Sequence, residues 1–205
     1  MKKRSYKQNC SLAFASDLLG ERWTLLLFRE LLIQPCRFKQ LNQWLAGMGT
    51  NLLTNRLKEL EHDGMIEKLD PESKRSPYQL SKTGIDVEPI ILSLIRWGYL
   101  HGETQQDYAH FDHWDLLAMK AFFNPTLGNK TACLQFDHPT LNAWVKVSSE
   151  GFSHGMGFNE SAKITINTNI QTFQQALTSG QYVENTEVKN FIQWFEVPER
   201  ELQQF

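Results

Sequence analysis

Gly49-Thr50-Asn51-Leu52-Leu53-Thr54-Asn55-Arg56-Leu57-Lys58-Glu59-Leu60-Glu61-His62-Asp63-Gly64 carries leucines at 53, 57 and 60, the i, i+4, i+7 repeat of a helix with one buried stripe. Thr50 is a suitable N-cap, and Gly64 can leave the helix through a left-handed conformation. At about 100° per residue, Asn51, Thr54, Asn55 and Lys58 fall opposite the leucines. Those side chains suit a DNA groove: asparagine can bond bidentately to adenine, threonine can reach a base edge or a thymine methyl, and lysine can pair with a phosphate. Arg56 projects beside the leucine stripe, where it can meet a phosphate or a carboxylate of the protein, Glu30 or Glu59.

Upstream, apolar spacing predicts helices over Ser11 to Leu19, Glu21 to Leu32 and Phe38 to Leu45, punctuated by Gly20, Pro35 and the Gly47/Gly49 turn. Phe38, Leu41, Trp44 and Leu45 form the buried stripe expected of the third. Downstream, Met65 to Leu69 and Tyr78 to Leu80 read as strands around the polar loop Asp70-Pro71-Glu72-Ser73-Lys74-Arg75-Ser76. Thr83 with Asp86 has the spacing of a capping box opening a long helix, whose Val87, Ile90, Ile91, Leu94, Ile95 and Trp97 make an unusually wide apolar face. Helices, a glycine turn, a helix with a polar outer face and a basic-tipped hairpin follow the order of a winged helix-turn-helix. Arg37, Lys39, Lys74 and Arg75 then stand ready for the flanking phosphates. Pairing of the wide helix face between two copies would cover it and set two recognition helices about one DNA turn apart; coverage by the second half of the chain is the other possibility.

The charge balance divides in the same place. Residues 1–103 hold 15 Lys+Arg against 12 Asp+Glu, whereas residues 104–205 hold 6 against 11, so the formal total of -2 averages a basic half and an acidic one. Three cysteines, too widely spaced for a zinc pair, suit a reducing compartment. Neither a secretion signal nor an apolar run of spanning length is present, which points to a cytoplasmic protein without membrane attachment.

Tyr6, Cys10, Asp17-Leu18-Leu19-Gly20-Glu21-Arg22-Trp23-Thr24, Arg29-Glu30-Leu31, Arg37-Phe38, Asn51-Leu52-Leu53, Arg56-Leu57, Glu59-Leu60, Gly64, Tyr78-Gln79-Leu80, Pro89 and Trp97-Gly98 together resemble the HxlR-type family of small bacterial winged-helix transcription regulators. The resemblance runs from residue 5 to about residue 100. It implies a homodimer on a pseudo-palindromic operator, with Thr50 to Lys58 as recognition helix and Lys74 and Arg75 on the wing. Ser11 stands where relatives usually have proline after the early cysteine. Some relatives sense oxidants through a cysteine at this place. Cys10 precedes a helix and lies near Lys7 and Arg4, which favours a thiolate, and a buried, inert cysteine is the alternative.

Apolar periodicity fades from Gly98 to Asp107, which places a boundary near residue 105 and gives two domains, 1–105 and 106–205. The fold class is α+β, a winged helix-turn-helix followed by a smaller sheet-and-helix domain. In the second, Trp114 to Phe123, Thr172 to Leu177 and Val188 to Phe195 read as helices, and Thr131 to Phe136, Asn142 to Val147 and Ala162 to Thr168 as strands. This order loosely resembles a sterol carrier protein type 2-like domain, which implies an apolar tunnel between a five-stranded sheet and its helices. Phe122, Phe136, Trp144, Met156 and Phe173 are the candidates for its lining, or else plain core.

No enzyme pattern is found: Gly128-Asn129-Lys130-Thr131 lacks the glycine-lysine adjacency of a phosphate loop, and no nucleophile is placed beside a histidine. His110, Asp112, His113 and Asp115 read as a solvated linker helix rather than a metal site, and no cofactor is implied. The expectation is a transcription regulator biased by a small lipophilic effector. An adaptor whose acidic half binds a protein and a cysteine-based redox repressor are the alternatives.

Overall fold

Helix formation in the first half follows the apolar stripes, and the punctuation between them sets the angles. The computed structural model describes residues 5–102, 110–170, 172–173 and 185–196, and the chain divides into two compact units between Ile91 and Leu92. In the first unit α1 is Ser11–Leu19, α2 Thr24–Ile33, α3 Phe38–Trp44 and α4 Thr50–His62. Leu27, Phe28, Leu41, Leu45, Leu53, Leu57 and Leu60 are buried together with Met65 and Ile66, and form the core. Phe38, expected in the buried stripe of α3, is instead exposed.

Helix α2 starts at Thr24 rather than Glu21 because Trp23 takes a left-handed backbone, φ 78°. A bulky residue pays in steric clash for that conformation, and here it stands at the N-cap of α2 and sets where that helix starts. β1 (Ile66–Lys68) and β2 (Tyr78–Leu80) pair antiparallel, Ile66 opposite Leu80 and Lys68 opposite Tyr78. Cys36 adds a bridge to Tyr78 through two backbone bonds of 2.9 and 2.8 Å, which fastens the α2–α3 link to the hairpin.

The expected capping box at Thr83/Asp86 is not formed. Ser81 is the cap of a single turn, α5 (Lys82–Ile85), its hydroxyl accepting from the Gly84 N–H at 3.1 Å and donating to the Gly64 carbonyl at 2.6 Å. Gly84 is required by proximity, since a Cβ there would lie 2.1 Å from the Met65 carbonyl oxygen. The long helix α6 then begins at Glu88 and runs to His101, and the two compact units divide within it.

In the second unit a single 3-10 turn (Asp112–Trp114) leads into α7 (Asp115–Ala121). Among the described residues four strands follow: β3 (Ala132–His138), β4 (Leu141–Ser148), β5 (Gly151–Met156) and β6 (Ile164–Ile166), in the spatial order β5-β4-β3-β6. β3 pairs antiparallel with β4 and parallel with β6. Ala132 to Phe136 are buried without alternation, as a central strand covered on both faces should be, while β4 alternates, burying Leu141, Ala143, Val145 and Val147. β5 was not foreseen; its two glycines and its serine are poor strand formers. Gly155 is nevertheless needed, because the Trp144 ring lies 2.8 Å from where its Cβ would be. The last described helix, α8 (Thr186–Ile192), buries Val188 and Phe191. Of the helix expected over 172 to 177, Thr172 and Phe173 are helical and the rest lies outside the described residues. Among the described residues no helix is long and apolar enough to cross a membrane.

Candidate nucleic-acid interface

Helix α4 stands on a dry stripe of Leu53, Leu57 and Leu60, each at most 2 % exposed. That burial fixes the roll of the helix, so Asn51, Asn55 and Lys58 emerge exposed on the other side. Thr54 is half-buried and its hydroxyl donates to the Thr50 carbonyl at 2.8 Å. Thr50 is exposed as the first helical residue and is not the N-cap. Gly49 holds that position with extended backbone and no side-chain cap, so the first amides of α4 are left to solvent or to a ligand.

Arg56, open to either a phosphate or an internal carboxylate in the sequence, is paired within the fold. Its side chain is only 12 % exposed and bonds Glu59 at 3.0 Å and Glu21 at 3.3 Å. Glu30, the other partner considered, is buried and taken by the neighbouring Arg29, whose Nε donates to it at 3.0 Å. Glu21 was missed; the break at Gly20 and the left-handed Trp23 that bring it to α4 leave no periodic signal.

Arg37 and Lys39 are exposed around the start of α3, where the Gln40 side chain accepts from the Arg37 backbone N–H at 2.9 Å. Lys74 and Arg75 are exposed at the tip of the hairpin. The loop carrying them is ordered from within: the Asp70 N–H donates to the buried Ser76 hydroxyl at 2.7 Å, and the Asp70 carboxylate accepts from the Glu72 N–H at 3.1 Å. The unit thus presents Asn51, Asn55 and Lys58 on one helix and two pairs of cations on the elements beside it.

Cys10 is exposed at the N-cap position of α1, which removes the buried alternative. Cys36 and Cys133 are buried. Burial, reinforced by Glu30, pushes the Cys36 thiol up to about 12.

The five candidate lining residues do not share one surface. Phe136 pairs with Ala143, and Ala143 with Met156, so these three project from the same side of the sheet. Trp144 sits opposite Gln135 and Gly155, hence on the other side. Phe173 packs edge-on against Phe136 at 5.5 Å, and Phe122 packs on Tyr99 at 4.9 Å with the Arg96 guanidinium over its ring. Phe122, Phe136 and Phe173 are buried, while Met156 is exposed.

His110, Asp112 and Asp115 come within 4.8 Å of one another by their ligand atoms, and His113 is not among them. The stretch is not a solvated helix: Asp112 and Asp115 are largely covered, His113 is buried, and His110 Nε2 lies 3.2 Å from Asp115 Oδ2. Burial raises the Asp115 carboxyl while His110 acts to lower it. The contact of the His110 ring with the Asp115 carboxylate accounts for the cluster as it stands, although the same three atoms could close on a divalent cation.

Comparison with known proteins places this architecture. The HxlR-like helix-turn-helix family matches residues 18–106. The chain is 29% identical over 111 residues to the HTH-type transcriptional regulator YybR of Bacillus subtilis, covering 52% of this chain and 89% of that one. It is 32% identical over 100 residues to an HTH-type transcriptional regulator of Methanothermobacter thermautotrophicus, covering 48% of this chain and 76% of its relative. Among solved structures, the oxidized redox regulator HypR has 27% identity and a TM-score of 0.43 over 46% of this chain and 100% of its own. The quinone-bound YodB of B. subtilis has 27% identity and a TM-score of 0.39 over 44% and 97%. The chain belongs to the HxlR-like helix-turn-helix family, a family of transcription regulators and not of enzymes.

Proposed function

We propose that the protein binds a pseudo-palindromic double-stranded operator as a homodimer, laying α4 in the major groove and the hairpin loop along the backbone. The observation that carries this is the face of α4: Leu53, Leu57 and Leu60 are shut in the core, so Asn51 and Asn55, one turn apart, are held outward with Lys58. Asn51, Thr54 and Asn55 read bases. Thr50, Lys58, Arg37, Lys39, Lys74 and Arg75 engage phosphates.

The dimer is supported by apolar side chains that a single chain leaves in water. On α1, Leu12 is 74 % and Phe14 66 % exposed, and α6 shows Ile90, Leu94 and Trp97 at i, i+4, i+7. A second copy would bury both helices around a two-fold axis and give the operator its symmetry.

Residues 1–105 serve as the DNA-binding and dimerisation domain, and residues 106–205, similar in element order to a sterol carrier protein type 2-like domain, take a small apolar effector. The Phe136 side of the sheet, with Phe173 and Met156, is the surface that suits such a ligand; Trp144 faces away from it.

DNA selected from a random pool by the full chain tests this. Enrichment of inverted repeats with half-sites about 10 base pairs apart is expected. Recovery of unpaired half-sites, or a protein that sediments as a monomer at operator-binding concentrations, would overturn it. Trp97→Asp should break the dimer and lose the paired sites together.

A further inference from the structure

The first unit holds a cavity of about 280 Å³ lined by Ser5, Tyr6, Ser16, Asp17, Gly20 and Glu21. Among the described residues that line it there is neither lysine nor arginine, and Asp17 and Glu21 are carboxylates. The walls are tied in place. Asp17 Oδ2 accepts from the Ser5 hydroxyl at 2.7 Å and Asp17 Oδ1 from the Tyr6 N–H at 3.0 Å, which pins the N-terminal arm beside the end of α1. Gly20 lines it without a side chain, and the turn has no room for one, because a Cβ there would stand 2.6 Å from the Ser16 carbonyl oxygen.

One wall leads directly to the DNA-reading helix. Glu21 Oε2 accepts from Arg56 at 3.3 Å, and the buried Arg56 Nε has no hydrogen-bond partner. Arg56 therefore rests on two carboxylates, Glu59 within its own helix and Glu21 across the fold. Glu21 faces both the cavity and the guanidinium, so a cation entering the cavity competes for it.

We propose that this cavity binds a small organic cation, a primary amine with a short apolar body, whose ammonium sits between Asp17 and Glu21 and draws Glu21 away from Arg56. The chemistry follows from the lining: two carboxylates for the charge, serine hydroxyls for the remaining N–H groups, and one aromatic residue, Tyr6, for the body. Release of Glu21 leaves Arg56 tied only within α4, which loosens that helix against the α1–α2 turn and weakens DNA binding. By linkage, bound DNA weakens amine binding by the same factor. The effect on DNA rests on the operator-binding function proposed above, whereas amine uptake does not.

The probe is phenethylamine, with 2-phenylethanol as its neutral counterpart, titrated into the full chain and followed by NMR. Phenethylamine should bind roughly tenfold or more tightly than the alcohol, and Asp17→Asn should remove that preference. Asparagine can still accept from the Tyr6 N–H, and Glu21→Gln provides a second variant should the first lose its fold. Selected operator DNA should bind less tightly with saturating amine than with sodium chloride of equal ionic strength. Equal binding of amine and alcohol, or a preference surviving both substitutions, overturns the site. Unchanged operator affinity at saturating amine overturns the coupling. A chain that takes up amine but retains no DNA supports the site and strikes only the DNA-binding function.

Discussion

Arg56 on α4 and Glu21 at the α1–α2 turn, 35 positions apart in the chain, meet at 3.3 Å and tie α4 to the start of the fold. Because the guanidinium is internal, its loss should act through helix placement and not through charge at the phosphates. Arg56→Met should lower stability by about 1–2 kcal/mol in denaturant unfolding, since both carboxylates it leaves stay partly hydrated. Operator affinity should fall while the slope of affinity against salt stays as in the parent. A slope flattened by about one would mean that Arg56 contacts a phosphate after all.

Asparagines and cations of the interface should separate in a binding assay. Asn51→Ala and Asn55→Ala should each narrow the gap between the best site and its single-base variants by about 1–3 kcal/mol. Lys74→Ala and Arg75→Ala should weaken all DNA alike and each reduce the salt slope by about one. Competition binding against a panel of substituted sites at several salt concentrations distinguishes the two patterns.

Gly84→Ala places a methyl group 2.1 Å from the Met65 carbonyl oxygen, a backbone atom at the root of the hairpin. Overpacking of this kind costs about 1–3 kcal/mol, so the midpoint of thermal unfolding should drop by several degrees. Ser81→Ala should cost about 1 kcal/mol through the lost cap and leave the Gly64 carbonyl without its 2.6 Å donor.

The cysteines should differ sharply in reactivity. Iodoacetamide should modify the exposed Cys10 in the folded protein and reach buried Cys36 and Cys133 only after unfolding, as peptide mass mapping would show. With the Cys36 thiol raised from 9.0 to about 12 by burial, the unfolded chain sheds this proton first as pH rises. Its contribution to stability is therefore complete below about pH 9 and lost progressively towards pH 12. Cys36→Ala should flatten the decline in stability over that window.

Helix α4 was legible in the sequence because its signal is local: a leucine every three or four residues dictates which side is buried and hence that Asn51 and Asn55 face out. In the second unit β4 was readable for the same reason, since its burial alternates without interruption. Contacts that join distant segments were not. Nothing in the spacing marks Glu21 as the partner of Arg56, because a left-handed Trp23 brings it there and such a backbone has no composition cue. β5 was hidden by glycines whose purpose, room for the Trp144 ring, exists only once β4 lies beside it. Trp144 was grouped with Phe136 by aromatic character, and only the pairing register separates the two sides of the sheet.

The parallel pairing of β3 with β6 bears on the order of assembly. β4 and β5 intervene in sequence, so β6 can dock on β3 only once both have been made and the chain has crossed back to the far edge of the sheet. The first unit is built from neighbouring helices and one short hairpin, which close small loops quickly. During synthesis it should therefore reach its native form ahead of the sheet, and a nascent chain would have its α4 in place before its second unit is complete.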